Sequence, residues 1–305
     1  MIGGMKPAKL IKHLRIDKPD KFRLADHDPS GTCGLDVDKA RAERLLAAGT
    51  GRLTDLQQRL FAQNSWSVLV ILQGMDAAGK DGVVKHVMTG INPQGCHVHP
   101  FRAPSEEELA HDFLWRCVKA LPQRGHIGIF NRSYYEEVLV VRVHPELLAR
   151  QKLPKPLVTK KIWEHRFKDI RAFERYLARN GVLILKFFLH ISKEEQRRRF
   201  LGRIEEPAKR WKFSMADVAE RARWDEYMEA YEDMIRATSH GAAPWHVVPA
   251  DHKPVARVIV AETMIAAMER LDLEFPKVEG AALKELRKVR DALLAEDPAK
   301  PRKAR

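Results

Sequence analysis

The residues best suited to chemistry stand in one run, Gly74-Met75-Asp76-Ala77-Ala78-Gly79-Lys80-Asp81-Gly82. They match G-x-x-x-x-G-K, a pattern whose glycines let the backbone curl until its N–H groups face inward around an anion. A helix that follows presents its positive end to the same point, and Lys80 adds a full charge beside a transferred phosphate. Gly74, Ala77, Ala78, Gly79, Lys80, Asp81 and Gly82 are therefore candidate phosphate-binding residues. The pattern departs from its usual form at Asp81, where a Ser or Thr hydroxyl ordinarily binds magnesium. Asp76 offers a hard carboxylate oxygen within the loop instead, so the expected cofactor is Mg2+ with Asp76 as its ligand. The chemistry implied is phosphoryl transfer, with Asp76 and Lys80 as catalytic residues.

Such a loop needs a partner on a neighbouring strand. The predicted strand His126 to Phe130 ends in Asn131-Arg132-Ser133-Tyr134-Tyr135-Glu136-Glu137. In open α/β sheets the carboxyl end of a strand faces the crevice where ligands bind. A guanidinium at Arg132 can clamp a phosphate in two-pronged fashion, which makes Arg132 the third catalytic candidate. Asn131 stands where an aspartate is expected and can still hold a metal-bound water. Asn131, Arg132, Tyr135, Glu136 and Glu137 form the candidate nucleotide-binding set. Glu136 and Glu137 have a plainer alternative, as acidic first-turn residues favoured by a helix dipole.

Residues 197–212 hold seven basic side chains, among them Arg199, Arg203, Lys209 and Lys212, against Glu205 and Glu206 alone. A helix interrupted near Pro207 and resuming at Ser214 reads as a hinged cover whose cations meet phosphates. P-loop kinases use such covers to exclude water. The alternative is a solvated basic face; Arg197, Arg198 and Arg199 point in different directions, so not all of them reach the site. A nucleotide acceptor is already anionic and needs no general base, and the lack of a His-Arg-Asp motif counts against a protein kinase. His97 and His99 share a strand face but lack an apparent third ligand, so a packed or surface pair is expected.

The elements that must position these residues alternate along the chain. Residues 66–72 are a continuous apolar run, as for a strand covered on both faces. Weaker or shorter strands are predicted at residues 96–101, 126–130 and 245–248, with the most apolar at 182–191. Helices are expected from near Val37 to Gln63, broken near Gly49 and Gly51, and from Lys80 towards Gly90. A capping box, Ser105 with Glu108, opens a helix carrying Leu109, Phe113, Cys117 and Leu121. Helical segments follow within 133–179, then a second capping box at Ser192 with Glu195. Ser214 opens a helix with Trp224, Met228, Tyr231 and Ile235 on one stripe, and a last core helix spans about residues 252–272. Five strands alternating with helices predict an α/β fold with a five-stranded parallel sheet wrapped on both faces.

The chain divides into an irregular arm (1–35), a phosphotransferase domain (36–275, lid about 193–214), and a C-terminal helix with basic tail (276–305). Its 305 residues, 45% hydrophobic, suffice for that one domain. No stretch reaches the roughly 18 unbroken apolar residues of a membrane helix, and the start lacks a signal-peptide core; a soluble cytoplasmic protein is the expectation. Cys33, Cys96 and Cys117 are too few and too far apart for a disulfide framework or a zinc site. The net charge of +13 favours anionic partners. A phosphate polymer, nucleic acid and an acidic surface all fit that charge, but no nucleic-acid recognition motif is present.

These motifs, in this order, resemble the polyphosphate kinase 2 family over roughly residues 24–275. The resemblance rests on Leu72–Gly82, Gly128–Leu139, Pro207–Ser214, Trp224–Tyr227 and Ala243–Lys253. It implies a P-loop kinase fold, thymidylate-kinase-like, with a helical lid and no second domain. It implies Mg2+-dependent transfer between inorganic polyphosphate and nucleotides, with Asp76, Lys80, Arg132 and basic lid residues at the phosphates. The Asn-Arg-Ser form resembles the branch acting on both nucleoside mono- and diphosphates, and the family implies a homodimer or tetramer. From the residues alone, an ATP-dependent nucleoside monophosphate kinase and a nucleic-acid-binding P-loop protein remain the alternatives.

Overall fold

A computed structural model describes residues 13–35 and 38–295. Five strands, β1 (Ser67–Gln73), β2 (Cys96–Pro100), β3 (Ile127–Asn131), β4 (Val182–His190) and β5 (Trp245–Pro249), form one sheet. Their order is β2-β3-β1-β4-β5, and every neighbouring pair is parallel. β1 lies in the middle and is buried along its whole length, which is why its sequence is a continuous apolar run rather than an alternating one. All five expected strands are present, and the sheet is covered on both faces.

One face carries α1 (Lys39–Gln63), α2 (Lys80–Val87) and, later in the chain, the helix Lys253–Met268, which packs against both. The other face carries α3 (Ile162–Arg179) and the helix Trp224–Thr238. Between them in the chain lies the segment expected as a lid: α4 (Lys193–Glu205), a 3-10 segment Pro207–Lys212 and α5 (Met215–Ala222). Trp224–Thr238 is α6, Lys253–Met268 is α7, and α8 (Gly280–Ala295) follows with none of its residues buried. None of the helices described is long and apolar enough to cross a membrane.

Four local expectations are corrected. The helix expected to run from Ser214 through Ile235 is two, α5 and α6, parted at Arg223. α1 runs unbroken through Gly49 and Gly51. A β-carbon on Gly49 would lie 3.4 Å from Glu262 Oε1 and 3.6 Å from Ile265 Cδ1, so this glycine lets α1 approach α7 closely. The helix expected to continue from Ser105 to Leu121 is instead two four-residue pieces, Glu106–Leu109 and Trp115–Val118. Between them Asp112 Oδ1 accepts the Leu114 N–H at 2.9 Å and turns the chain. At Ser192 only half a capping box forms: Ser192 Oγ accepts from Glu195 N, but the Ser192 N–H donates to Asp251 Oδ1 at 2.8 Å. Glu195 turns away from Ser192 to Arg198 and Arg199.

The described part of the arm holds two 3-10 turns, Pro19–Lys21 and Leu24–Asp26, and is tightly packed. Ile16 N–H donates to the Trp245 carbonyl at 2.9 Å, and Arg236 Nε donates to the Phe22 carbonyl at 2.7 Å. Leu14, Ile16, Phe22 and Leu24 are buried, so the arm covers the β5 edge of the sheet. His97 stacks on His126 and His99 packs edge-on to Phe130. Val37 and the basic tail, residues 300–305, lie outside the described residues.

Two buried histidines give the fold a predictable acid sensitivity. Burial holds His190 and His246 down to about 4 from an ordinary value of 6.5. The unfolded chain therefore binds their protons first as pH falls, and each withdraws up to about 3 kcal/mol of stability between pH 6.5 and 4. Urea denaturation at pH 7 and at pH 4.5 is expected to show this loss, with a shallower slope in His246→Gln. An equal slope in that variant contradicts the assignment.

Candidate active site

β1 and β3 pair so that Leu72 lies beside Asn131, and Arg132 N–H donates to the Leu72 carbonyl at 3.1 Å. The turns that leave these two strands thus meet at one end of the sheet. After β1 the chain curls over the sheet into α2. Gly74 has φ +150°, and a β-carbon there would sit 2.7 Å from the Leu189 carbonyl oxygen, so both conformation and space require glycine. Gly79 has φ +113°, and Ala77 takes the left-handed region at +63°, a strained choice for alanine that tends to be found at functional loops.

The loop's charged groups converge. Lys80 is buried, and its Nζ donates to the Gly74 carbonyl at 2.5 Å and to Met75 at 3.3 Å. Burial pulls its pKa down, with Asp76 opposing. Arg132 Nη2 donates to Asp76 Oδ1 at 2.7 Å. Burial works against the Asp76 charge, but Lys80, Arg132 and Arg203 together hold its carboxyl below the usual range. Glu136 raises the Arg132 pKa further, while its own is pushed up by burial and pulled back by Arg132 and Lys80. Buried Gln73 ties the end of β1 to the β3 turn by donating to Ser133 Oγ at 3.1 Å.

A cleft of about 820 Å3 opens over the loop, and Arg203, Lys209 and Lys212 of the lid line it with Asp76, Lys80 and Arg132. A second pocket of about 220 Å3 joins it, and Phe101, Arg102 and Arg132 border both. Glu136 and Glu137 lie in the second pocket with Leu109, Phe113 and Val140. Glu137 is held by Gln151 Nε2 at 2.7 Å and Arg166 Nε at 3.0 Å; burial raises its pKa, and Arg166 opposes. Asn131 donates its amide to Asp81 Oδ1 at 2.7 Å, which leaves the Asn131 side-chain oxygen as the group available to a metal-bound water.

Two sequence-predicted residues are placed otherwise than expected. Tyr135, expected at the nucleotide, is fully buried, and its hydroxyl lies in the core between Glu174 and Lys186. Arg199, expected at phosphate, borders the cleft, but every one of its N–H donors is already taken by a protein acceptor. Sequence reasoning also missed Asp217, which lines the cleft from α5 and accepts from Arg203 Nη1 at 3.2 Å. No motif marks it; only its place shortly after the basic run does.

Among the described residues, no three His, Cys, Asp or Glu side chains gather as a metal-binding group. That donor set does not suit zinc. It does suit Mg2+, which takes one or two carboxylates and completes its shell with phosphate oxygens and water. Asp76 would hold it, and Arg132 engages only the Oδ1 atom of that carboxylate.

The Polyphosphate kinase 2 (PPK2) family profile matches residues 36–276. An ADP-polyphosphate phosphotransferase from Rhodopseudomonas palustris is 53% identical, over 93% of this chain and 98% of its own. An AMP/ADP-polyphosphate phosphotransferase from Meiothermus ruber is 44% identical, over 90% and 98%. The crystal structure of polyphosphate kinase 2 from Arthrobacter aurescens TC1 superposes with a TM-score of 0.86 at 40% identity, covering 97% of this chain and 99% of that one. By the family profile over most of its length and by these relatives, this chain belongs to the polyphosphate kinase 2 family.

Proposed function

We propose that this protein transfers the terminal phosphate of inorganic polyphosphate to nucleoside diphosphates and monophosphates, with Mg2+ as its metal. The observation that carries the reading is the position of Arg132, at the junction of a long basic cleft and a smaller pocket with apolar walls. The cleft suits a polyanion, and the pocket suits a nucleoside whose phosphates reach back to Arg132. The names of the relatives, one acting with ADP and one with AMP and ADP, support this donor and these acceptors.

In the transfer, an anionic oxygen of the acceptor forms the new bond to the terminal phosphorus of the polymer. The bond to the bridging oxygen breaks, and that oxygen stays on the shortened polymer as its new anionic end. No proton has to move, so positioning and charge neutralisation carry the catalysis. Lys80 and the loop amides hold the donor's end, Arg132 aligns donor with acceptor, and Arg203, Lys209 and Lys212 cover the chain and exclude water. Bound Mg2+ would screen the phosphate oxygens from one another and withdraw charge as the bond breaks.

Purified protein given polyphosphate, Mg2+ and AMP is expected to accumulate ADP first and ATP later, and chelation of the metal should stop both. ADP reacting while AMP stays untouched would remove the monophosphate limb. Phosphorylation of AMP only when ATP is added would make the protein an ATP-dependent kinase instead.

A further inference from the structure

The lid helix α4 does more than support a cover. Its first two turns pass behind the phosphate loop and hold three consecutive loop carbonyls. Gln196 Nε2 donates to Asp76 O at 2.9 Å, and Arg199 Nη1 donates to Ala77 O at 2.8 Å and Ala78 O at 3.0 Å. Residues three apart share a helix face, so one face of α4 makes all three bonds. The rest of Arg199 is committed as well. Its Nε donates to Glu195 Oε1 at 2.6 Å, and Nη2 to the carbonyls of Ala250 at 2.6 Å and Asp251 at 3.0 Å, beyond β5. A guanidinium has five N–H donors, and each finds an acceptor here.

A trans peptide places its carbonyl and its N–H on opposite sides of the chain. Drawing the carbonyls of Asp76, Ala77 and Ala78 back to α4 therefore turns the N–H groups of Ala77 and Gly79 into the hollow of the loop. The N–H of Ala78 closes the loop on the Met75 carbonyl at 3.1 Å. The left-handed backbone of Ala77 lies at the centre of this clamp.

The same bonds divide the lid. Glu195, Gln196, Arg199 and Phe200 are buried, and the N–H of Ser192 at the helix start is held by Asp251. From the next residue on, Leu201 and Ile204 are exposed, Trp211 is 78% exposed, and a β-carbon on Gly202 would meet nothing within 4 Å.

We propose that Gln196 and Arg199 are positioning residues that aim the loop amides at polyphosphate, and that the lid moves about a hinge beyond Phe200 while the root of α4 stays fixed. The inference rests on polyphosphate as the donor in the loop cleft, and its test separates the two claims. Steady-state ATP formation from ADP and polyphosphate is measured for wild type, Arg199→Lys and Gln196→Ala. Arg199→Lys is expected to raise the KM for polyphosphate about tenfold and to leave the KM for ADP unchanged, since a single ammonium cannot reach both pairs of carbonyls. Gln196→Ala, which leaves every Arg199 bond in place, is expected to raise the same constant about threefold, and it carries the kinetic test if Arg199→Lys does not fold. Amide hydrogen exchange on the wild type, with and without polyphosphate, should show new protection at residues 203–213 and none at 194–200. An unchanged polyphosphate KM in the folded variant, or equal gains of protection in both segments, overturns the proposal. A wild type that moves no phosphate from polyphosphate to ADP defeats the donor reading; the exchange comparison then still decides whether the root of α4 stays fixed.

Discussion

Lys80→Met lowers turnover roughly 10³-fold and leaves the chain folded; that is the expected result of removing the cation nearest the loop's hollow. Methionine matches the length of lysine and is at home in a buried site. The Lys80 ammonium rests on the Gly74 and Met75 carbonyls of its own loop, where burial already disfavours its charge. Replacing it therefore removes little that holds the fold together, and thermal unfolding should move by only a few degrees. The charge matters most when negative charge redistributes over the transferred phosphate, so kcat should fall far more than the KM for ADP rises. Asp76→Asn makes a companion test. It keeps an acceptor for Arg132 but removes the carboxylate that would hold Mg2+, so transfer should be lost at ordinary Mg2+ concentrations and the fold retained. Turnover at wild-type levels in either purified variant sinks the assignment of this loop.

The parts of the molecule legible in the sequence were those whose determinants are contiguous. The inner strands are short runs dominated by apolar residues, and β1 is continuous from Val68 to Leu72 because both its faces are covered, whereas edge strand β2 (Cys96–Pro100) is the weak one. The phosphate loop is readable because its glycines and its lysine must be neighbours. What escaped was set by facing rather than by composition. Arg199 and Arg203 belong to one basic run, lie one helical turn apart and both line the cleft, yet the first spends all its donors on Glu195 and backbone carbonyls while the second is bonded only through Nη1. Charge cannot separate them; the packing of α4 against the turn beyond β5 does. Tyr135 and Glu136 are adjacent, but the 3-10 turn sends the phenol into the core and the carboxylate into the site. Gly49 looked like a helix breaker because its partner, α7, lies some two hundred residues away. Asp217 belongs to the cleft only through the folding back of α5.

The largest loss of stability is expected from Lys186→Met, about 3–5 kcal/mol, read as a fall in the urea midpoint at unchanged slope. Lys186 and Glu174 are both fully buried, and Nζ lies 2.7 Å from Glu174 Oε2. The ammonium spends its other two N–H bonds on the Tyr135 hydroxyl at 2.9 Å and the Thr238 carbonyl at 2.8 Å. Tyr134 and Tyr135 donate their hydroxyls to Glu174 Oε1 at 2.9 and 2.6 Å, and His240 approaches Oε2 at 3.1 Å. Burial alone would neutralise both groups; it draws Lys186 down to about 8, while Lys186 and the surrounding bonds keep the Glu174 carboxyl below its ordinary value. Removing the lysine leaves a buried carboxylate without its counter-charge, which is the costly case. Lys186→Met combined with Glu174→Gln removes both charges together and should recover much of the loss, a coupling that a mutant cycle measures directly. A loss below about 1 kcal/mol in the single variant would mean the pair is not the one described. The consequence also reaches the site. Tyr134 and Tyr135 follow Arg132 and Ser133 without a break, so the buried pair anchors the turn that carries Arg132, and its loss should weaken transfer even at temperatures where the variant remains folded.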